Sequence, residues 1–344
     1  MTEPPPLPSR NRLATLLVGM VVANLVGGVL CFGVTKLGEI FRGSAQGWLL
    51  LPSFFLLPLL VGLVAAWFYR RLNRGLGITF LDALWISLVG VGAAAVILRE
   101  GVVCLIIVFP ALYLLILTGL LIGRIWFRPD YSKLQLSVFP LIVLMTVADS
   151  FYSSTERAVV TDEILIRATP DQVWPHVLAF PEIPGQPDYW IFRLGLPYPT
   201  QTTNGGNFVG ADRQCMFSDG IVIRERVAEF VPREKLTFDI VEQPTHPEAY
   251  GHITLHRGQF VLRDNGNGTT TLFGSSWYTL QVRPLWYFDL WTRNMTRAVH
   301  LRVMNHVRRL AEDGPRQLSG ISSKRAAENP IPPSNAALAS VDGN

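Results

Sequence analysis

The sequence lacks most of the residues and motifs that mark a particular chemistry. Three cysteines occur in 344 residues; Cys31 and Cys104 sit inside apolar runs and Cys215 is alone in the C-terminal half. No disulfide can form within that half, and no CxxC or Cys/His cluster has zinc spacing. Charged residues make up only 16% of the chain, and the net charge of +4 is mild. No Lys/Arg tract is interleaved with aromatics, which argues against nucleic acid as a partner. Nucleophile elbow, P-loop and dinucleotide fingerprint are all missing. His252 and His256 alternate onto one strand face, but positions i and i+4 on a strand lie roughly 13 Å apart, too far to share a metal. Neither a metal nor a cofactor is expected.

What the chain has in excess is apolar length, concentrated before residue 150. After a Pro-rich lead, 1–12, the apolar runs 13–34, 48–68, 78–98 and 101–122 each reach the roughly 20 residues that a spanning helix needs. A shorter run, 134–150, contains Gln135 and Ser137. Pro52 and Pro58 fall inside the second run, which is tolerated where neighbouring helices satisfy the freed backbone. The first run is too long for a signal peptide and is followed directly by others, so it reads as an uncleaved span. Basic residues at Arg10 and Arg12, at Arg70, Arg71 and Arg74, and at Arg124, Arg128 and Lys133 all fall on one side if each run spans. That side should be cytoplasmic. Five spans then place the C-terminal half outside the cytoplasm, and four place it inside; five are expected, in a bacterial inner membrane. Asp82 and Glu100 are not mid-membrane, so residues 13–150 read as an anchor bundle, in which Gly62, Gly90, Gly92 and Ala93 to Ala95 let helices approach closely.

From Val159 the period changes. A strand at Val159–Ala168 leads to Thr169-Pro170-Asp171, where Thr suits a helix cap, Pro the first helical position and Asp the positive helix end. A short helix over 171–180 and a second short helical turn follow. Strands are predicted at 213–217, 221–230, 235–242, 252–263 and 269–281, with turn signals at Asp219-Gly220 and Asn265-Gly266. Pro284 opens a long helix to about Glu312, and the Ser-, Ala- and Pro-rich tail 313–344 should be disordered. The fold class is thus an α-helical transmembrane bundle followed by an α+β domain of curved antiparallel sheet, two short helices and one long C-terminal helix. A helix laid across a curved sheet tends to leave an apolar cavity.

The segments I-L-I-R-A-T-P-D-Q-V-W-P-H-V at 164–177, G-I-V-I-R-E-R-V-A-E-F-V-P-R-E-K-L-T-F at 220–238, N-G-N-G-T-T-T-L and the closing H-L-R-V-M-N-H-V resemble the START-like superfamily, in order and over residues 157–312. That superfamily includes polyketide cyclase/dehydrases and lipid-transfer domains. The resemblance implies a helix-grip fold and does not extend to residues 13–150. It implies a cavity but no single activity.

Candidate residues follow from the period of each element. On the last helix Thr292, Met295, Val299, Val303, His306 and Leu310 form a stripe about 80° wide, with Thr296, His300 and Val307 on its shoulder. His306 either aims into the cavity or bonds a backbone carbonyl near the helix end. Alternation puts Glu225 on the apolar face with Ile221, Ile223 and Val227, where it needs a partner from another strand or a proton. Ser276 and Tyr278 on the last strand, with Tyr189 and Trp190, are candidates to line or close the cavity. The aromatic segment Val282–Trp291 either meets the bilayer or packs on the domain. The expected function is a membrane-anchored domain that binds a lipid or other hydrophobic small molecule. The alternatives are a cyclase/dehydrase-type enzyme using Glu225 or His306, and a sensory or interaction module with a filled interior.

Overall fold

The structure, a computed structural model, describes residues 9–42, 51–72, 74–97, 101–127, 143–148, 157–244 and 252–328. Four apolar helices come first: α1 (Ser9–Arg42), α2 (Leu51–Tyr69), α3 (Leu76–Ile97) and α4 (Val102–Trp126). Three helical stretches are long and apolar enough to cross a membrane, Asn11–Leu37, Leu76–Ile97 and Val102–Trp126; Ser53–Tyr69 is apolar but shorter. The run expected at 134–150 lies outside the described residues except for a helical stretch at 143–148.

The bundle is arranged inside out. Leu17, Val21, Leu25 and Val29 of α1 and Leu81, Trp85 and Leu88 of α3 are exposed. Such apolar flanks are stable only in a hydrocarbon surround. The shorter α2 is the hub, burying Leu57, Leu60, Val61, Val64, Ala65 and Ala66 against α1 and α4. Its crossing with α4 is glycine on glycine: a Cβ on Gly62 would strike the Ile116 carbonyl, and one on Gly119 the Leu59 carbonyl. Asn24 Nδ2 donates to the Ile86 carbonyl (3.3 Å), tying α1 to α3. Asp82, the one acid in the third apolar run, is paired with Arg74 (Nε to Oδ2 2.9 Å) beside the basic end of the bundle.

The C-terminal half is a curled seven-stranded antiparallel sheet crossed by a long helix, an arrangement consistent with a helix-grip fold. Its strands are β1 (Ala158–Ile166), β2 (Pro199–Asn204), β3 (Asp212–Phe217), β4 (Val222–Val231), β5 (Lys235–Glu242), β6 (Ile253–Asp264) and β7 (Thr270–Leu280), in the order β1-β7-β6-β5-β4-β3-β2. Helix α5 (Pro170–Leu178) and a 3-10 turn (Trp190–Leu194) follow β1, and α6 (Leu285–Glu328) follows β7. Helix α5 begins as its sequence suggests, with Pro170 in the first turn and Gln172 Oε1 accepting the Thr169 N–H at 3.0 Å. Two differences from the sequence reading stand out. Edge strand β2 has no apolar alternation to betray it and forms through pairing with β3. Helix α6 runs on to Glu328, past the end expected near Glu312, despite Gly314, Pro315 and Gly320, which disfavour a helix interior; residues 329–344 lie outside the described residues.

Two apolar clusters lie between sheet and α6. One joins Ile166, Val173, Val177, Leu236, Leu272, Val303, Met304 and Val307. The other joins Ile191, Phe192, Tyr278, Leu280, Val282 and Phe288 to Phe54 of α2 and to Val103 and Ile107 of α4. The second cluster fastens the domain to the bundle. Phe54 meets the Tyr287 and Phe288 rings at 5.4 and 5.7 Å, and the Tyr287 hydroxyl donates to the Ile107 carbonyl at 2.5 Å.

Candidate functional site

Strand register decides which side chains face α6. Val160, Asp162 and Ile164 of β1 stand opposite Ser276, Gly274 and Leu272 of β7, and Phe260 and Leu262 of β6 continue the same face. Further round the sheet come Leu236, Phe238 and Ile240 of β5, then Ile223, Glu225 and Val227 of β4, then Arg213 and Cys215 of β3. Gly274 lets α6 close in, since a Cβ there would meet Met304 Sδ. On this inner surface Ile240, Phe260 and Ser276, with Met295 and Val299 of α6, are only half-buried. Part of the inner surface between the two apolar clusters is therefore accessible to solvent.

Two polar groupings stand on this surface. The first runs Asp162, His300, Ser276. Asp162 Oδ2 lies 2.9 Å from His300 Nδ1, and His300 Nε2 lies 2.8 Å from Ser276 Oγ. Asp162 and His300 are buried, whereas Ser276 is half-buried. Burial pulls the His300 pKa below the usual histidine value, and the Asp162 carboxylate opposes that shift. Arg297 Nε stands 3.6 Å from the other Asp162 oxygen.

The second grouping is Arg213 and Glu225, an ion pair at 3.0 Å whose side chains are 2% and 7% exposed. Glu225 does point inward, and its partner does come from a neighbouring strand. The Arg213 guanidinium lies over the Phe238 ring, 4.5 Å from its centroid, and its Nε has no hydrogen-bond partner among the described residues. Burial raises the Glu225 pKa, with Arg213 pulling it back. The adjacent Cys215 thiol is pushed up to about 12 by burial and by the Glu225 charge, which leaves it a poor nucleophile.

The other sequence candidates separate from these groupings. Tyr278 is fully buried and its hydroxyl donates to Asp289 Oδ1 at 2.7 Å; Asp289 is held in turn by Arg293 at 2.6 Å. Val303 is buried in the first cluster. His306 is buried edge-on against Phe180, with ring centroids 5.9 Å apart, and bonds the Pro181 backbone. That is the carbonyl-bonded alternative for this residue. Its Nε2 has no partner among the described residues. Tyr189 donates to Asn294 Oδ1 at 2.6 Å and so latches the turn before the 3-10 helix onto α6. Among the described residues no group of three metal-ligating side chains converges.

Asp162 and Arg213 are absent from the residues singled out in the sequence, and His300 stood only on the shoulder of the α6 stripe. Alternation in β1 already sets Asp162 on the side of Val160 and Ile164, and alternation in β3 sets Arg213 beside Cys215. Both signals were present but needed the register of a neighbouring strand to acquire meaning.

No protein-family profile matches the chain, and no curated protein does. Solved structures do. An uncharacterized protein from Bacillus thuringiensis is 21% identical over 45% of this chain and 100% of its own, with a TM-score of 0.32. A protein from Nitrosospira multiformis is 18% identical over 45% of this chain and 95% of its own, with a TM-score of 0.30. Norcoclaurine synthase from Thalictrum flavum, solved with dopamine and hydroxybenzaldehyde, is 14% identical over 46% of this chain and 89% of its own, with a TM-score of 0.33. At these values the likenesses carry no argument about function.

Proposed function

We propose that this chain is a membrane-anchored helix-grip domain that takes a hydrophobic molecule, drawn from the bilayer, into the space between its sheet and α6. The observation that carries this reading is the seat of the domain on the bundle. The segment Val282–Trp291 packs on the N-terminal ends of α2 and α4, so the Tyr189–Asn294 latch and the half-buried Met295 lie close to the membrane end of the domain. Trp286 and Leu290, one turn apart on α6, are 70% and 68% exposed. Large apolar side chains beside the ends of spanning helices belong to the lipid interface. A ligand entering there meets apolar walls first and the polar groupings deeper in.

The same seat bears on topology. The domain rests on the bundle end opposite Arg70, Arg71, Arg74 and Arg124. Positive residues mark the cytoplasmic side, which supports a non-cytoplasmic domain and a fifth crossing between Phe127 and Ala158.

Native mass spectrometry of the full chain released from detergent, followed by solvent extraction, tests the ligand reading. A stoichiometric apolar adduct is expected, together with its loss in Val299→Trp, which fills the half-open wall. An adduct-free wild type that also takes up no fluorescent lipid from vesicles overturns it and favours a filled interaction module.

A further inference from the structure

We propose that Ser276, His300 and Asp162 are a nucleophilic relay that cleaves acyl esters of hydrophobic molecules held against the sheet. The substrate class rests on the ligand reading above; the relay itself rests on geometry. Hydroxyl, imidazole and carboxylate stand in line at 2.8 and 2.9 Å, the distances of a serine activated by a base that is oriented by an acid. The three come from β7, α6 and β1, so helix and sheet must close for the line to exist. A structural strap between α6 and the sheet would be served by any buried hydrogen-bonding pair. Here the buried carboxylate is at the far end, and the half-buried end is the hydroxyl, on the surface it shares with Met295 and Val299.

The chemistry balances with water as co-reactant. Ser276 Oγ attacks the ester carbonyl carbon as its proton passes to His300 Nε2. The carbon–oxygen bond to the leaving alcohol breaks and that oxygen takes the proton, leaving an acyl-Ser276 ester. Water, deprotonated by the same Nε2, then attacks the acyl carbon and releases a carboxylic acid and free Ser276. Asp162 keeps the other imidazole proton on Nδ1 and stabilises the imidazolium. His300 is surrounded by Asp162 from β1 and Ser276 from β7, with Arg297 of its own helix behind Asp162. Its lowered pKa leaves it in the base form at neutral pH.

One consequence separates this site from a fast hydrolase. Ser276 pairs with Val160 on one side and Gly258 on the other, so the nearby strand amides are spent in the ladders rather than gathered as an oxyanion hole. Missing donors of that kind cost about 10²–10³ in rate, in acylation and deacylation alike, so turnover should be slow.

The experiment is to treat the full chain, in detergent micelles or lipid nanodiscs, with a long-chain alkyl fluorophosphonate and to read intact mass and the modified peptide. The expected result is one adduct at Ser276, absent in Ser276→Ala and slowed at least about 10²-fold in His300→Gln, which can keep hydrogen bonds to both neighbours but cannot take the proton. Melting temperature, followed in parallel, should hold in both variants. Should Ser276→Ala fail to fold, Ser276→Cys supplies the second readout: alkylation faster than that of the native cysteines, and slowed by adding His300→Gln. No adduct on folded wild-type protein, or an adduct elsewhere, overturns the relay. Lipid that still co-purifies with Ser276→Ala leaves the ligand reading standing whatever the relay does.

Discussion

The buried residues of the inner face carry opposite pH signatures. The His300 pKa is lowered on folding, so the stability it allows is present above 6.5 and is lost as pH falls through its folded value, because the unfolded chain then binds the extra proton. His306, also lowered by burial, acts in the same direction. The Glu225 pKa is raised from 4.5, so its contribution is present below 4.5 and is lost as pH rises through its folded value. Thermal melting against pH should therefore fall below pH 6.5 in the wild type, and His300→Gln should flatten part of that limb; an unchanged limb would remove His300 as its cause. The Arg213–Glu225 pair gives a second test. Arg213→Leu strands a buried carboxylate and should cost about 3–5 kcal/mol, whereas Arg213→Leu with Glu225→Leu should recover most of the loss. Equal losses in single and double variants would mean that packing on Phe238, not charge, is what Arg213 supplies. The inward direction of Glu225 was legible because one strand's alternation suffices to read it. Its partner was not, because register between β3 and β4 is a long-range property.

Elements show where a local period stops being enough. A helical wheel centres the α6 stripe near Val299 and leaves His300 on the shoulder. The structure turns the helix so that Met304 and Val307 are fully buried and His300 meets Asp162 and Ser276. The cause lies in the sheet: Gly274 makes room for the Met304 sulfur, and β1 and β7 offer the imidazole its two partners. Strand β2 escaped for a related reason, since its residues have no period of their own. In the bundle the small-residue reading was right at Gly62, which crosses Gly119, and at Gly90, which lies against Asn24; Gly92 faces open space. Gly119→Leu should force α2 and α4 apart and abolish monodisperse protein in size-exclusion chromatography, whereas Gly92→Leu should run as the wild type. If both behave alike, the α2–α4 crossing is not what holds the bundle.

At the scale of the whole molecule, the two halves share one apolar cluster. Phe54, Val103 and Ile107 contribute to the same packing as Ile191, Tyr278 and Phe288, so the domain is seated and not merely tethered. This seat was hidden in the sequence because its parts lie far apart along the chain; only the aromatic density of Val282–Trp291 hinted at it. The seat converts a question about one weak apolar run into geometry. Phe127 follows the basic end of α4, near Arg124, while β1 starts among residues that pack with the opposite end. At about 1.5 Å per residue, the 25-residue α4 is roughly 37 Å long, comparable to a bilayer's thickness. The fifth crossing proposed between Phe127 and Ala158 would bring the domain to where it sits. A cysteine placed at Asn267, in the exposed β6–β7 turn, should react with a membrane-impermeant maleimide on intact bacterial cells expressing the chain. One placed at Arg71 should react only after the cells are opened. The reverse pattern would put the domain in the cytoplasm, so that either the seat on α2 and α4 or the charge rule fails; Phe54→Ala, which loosens the seat alone, would then tell which.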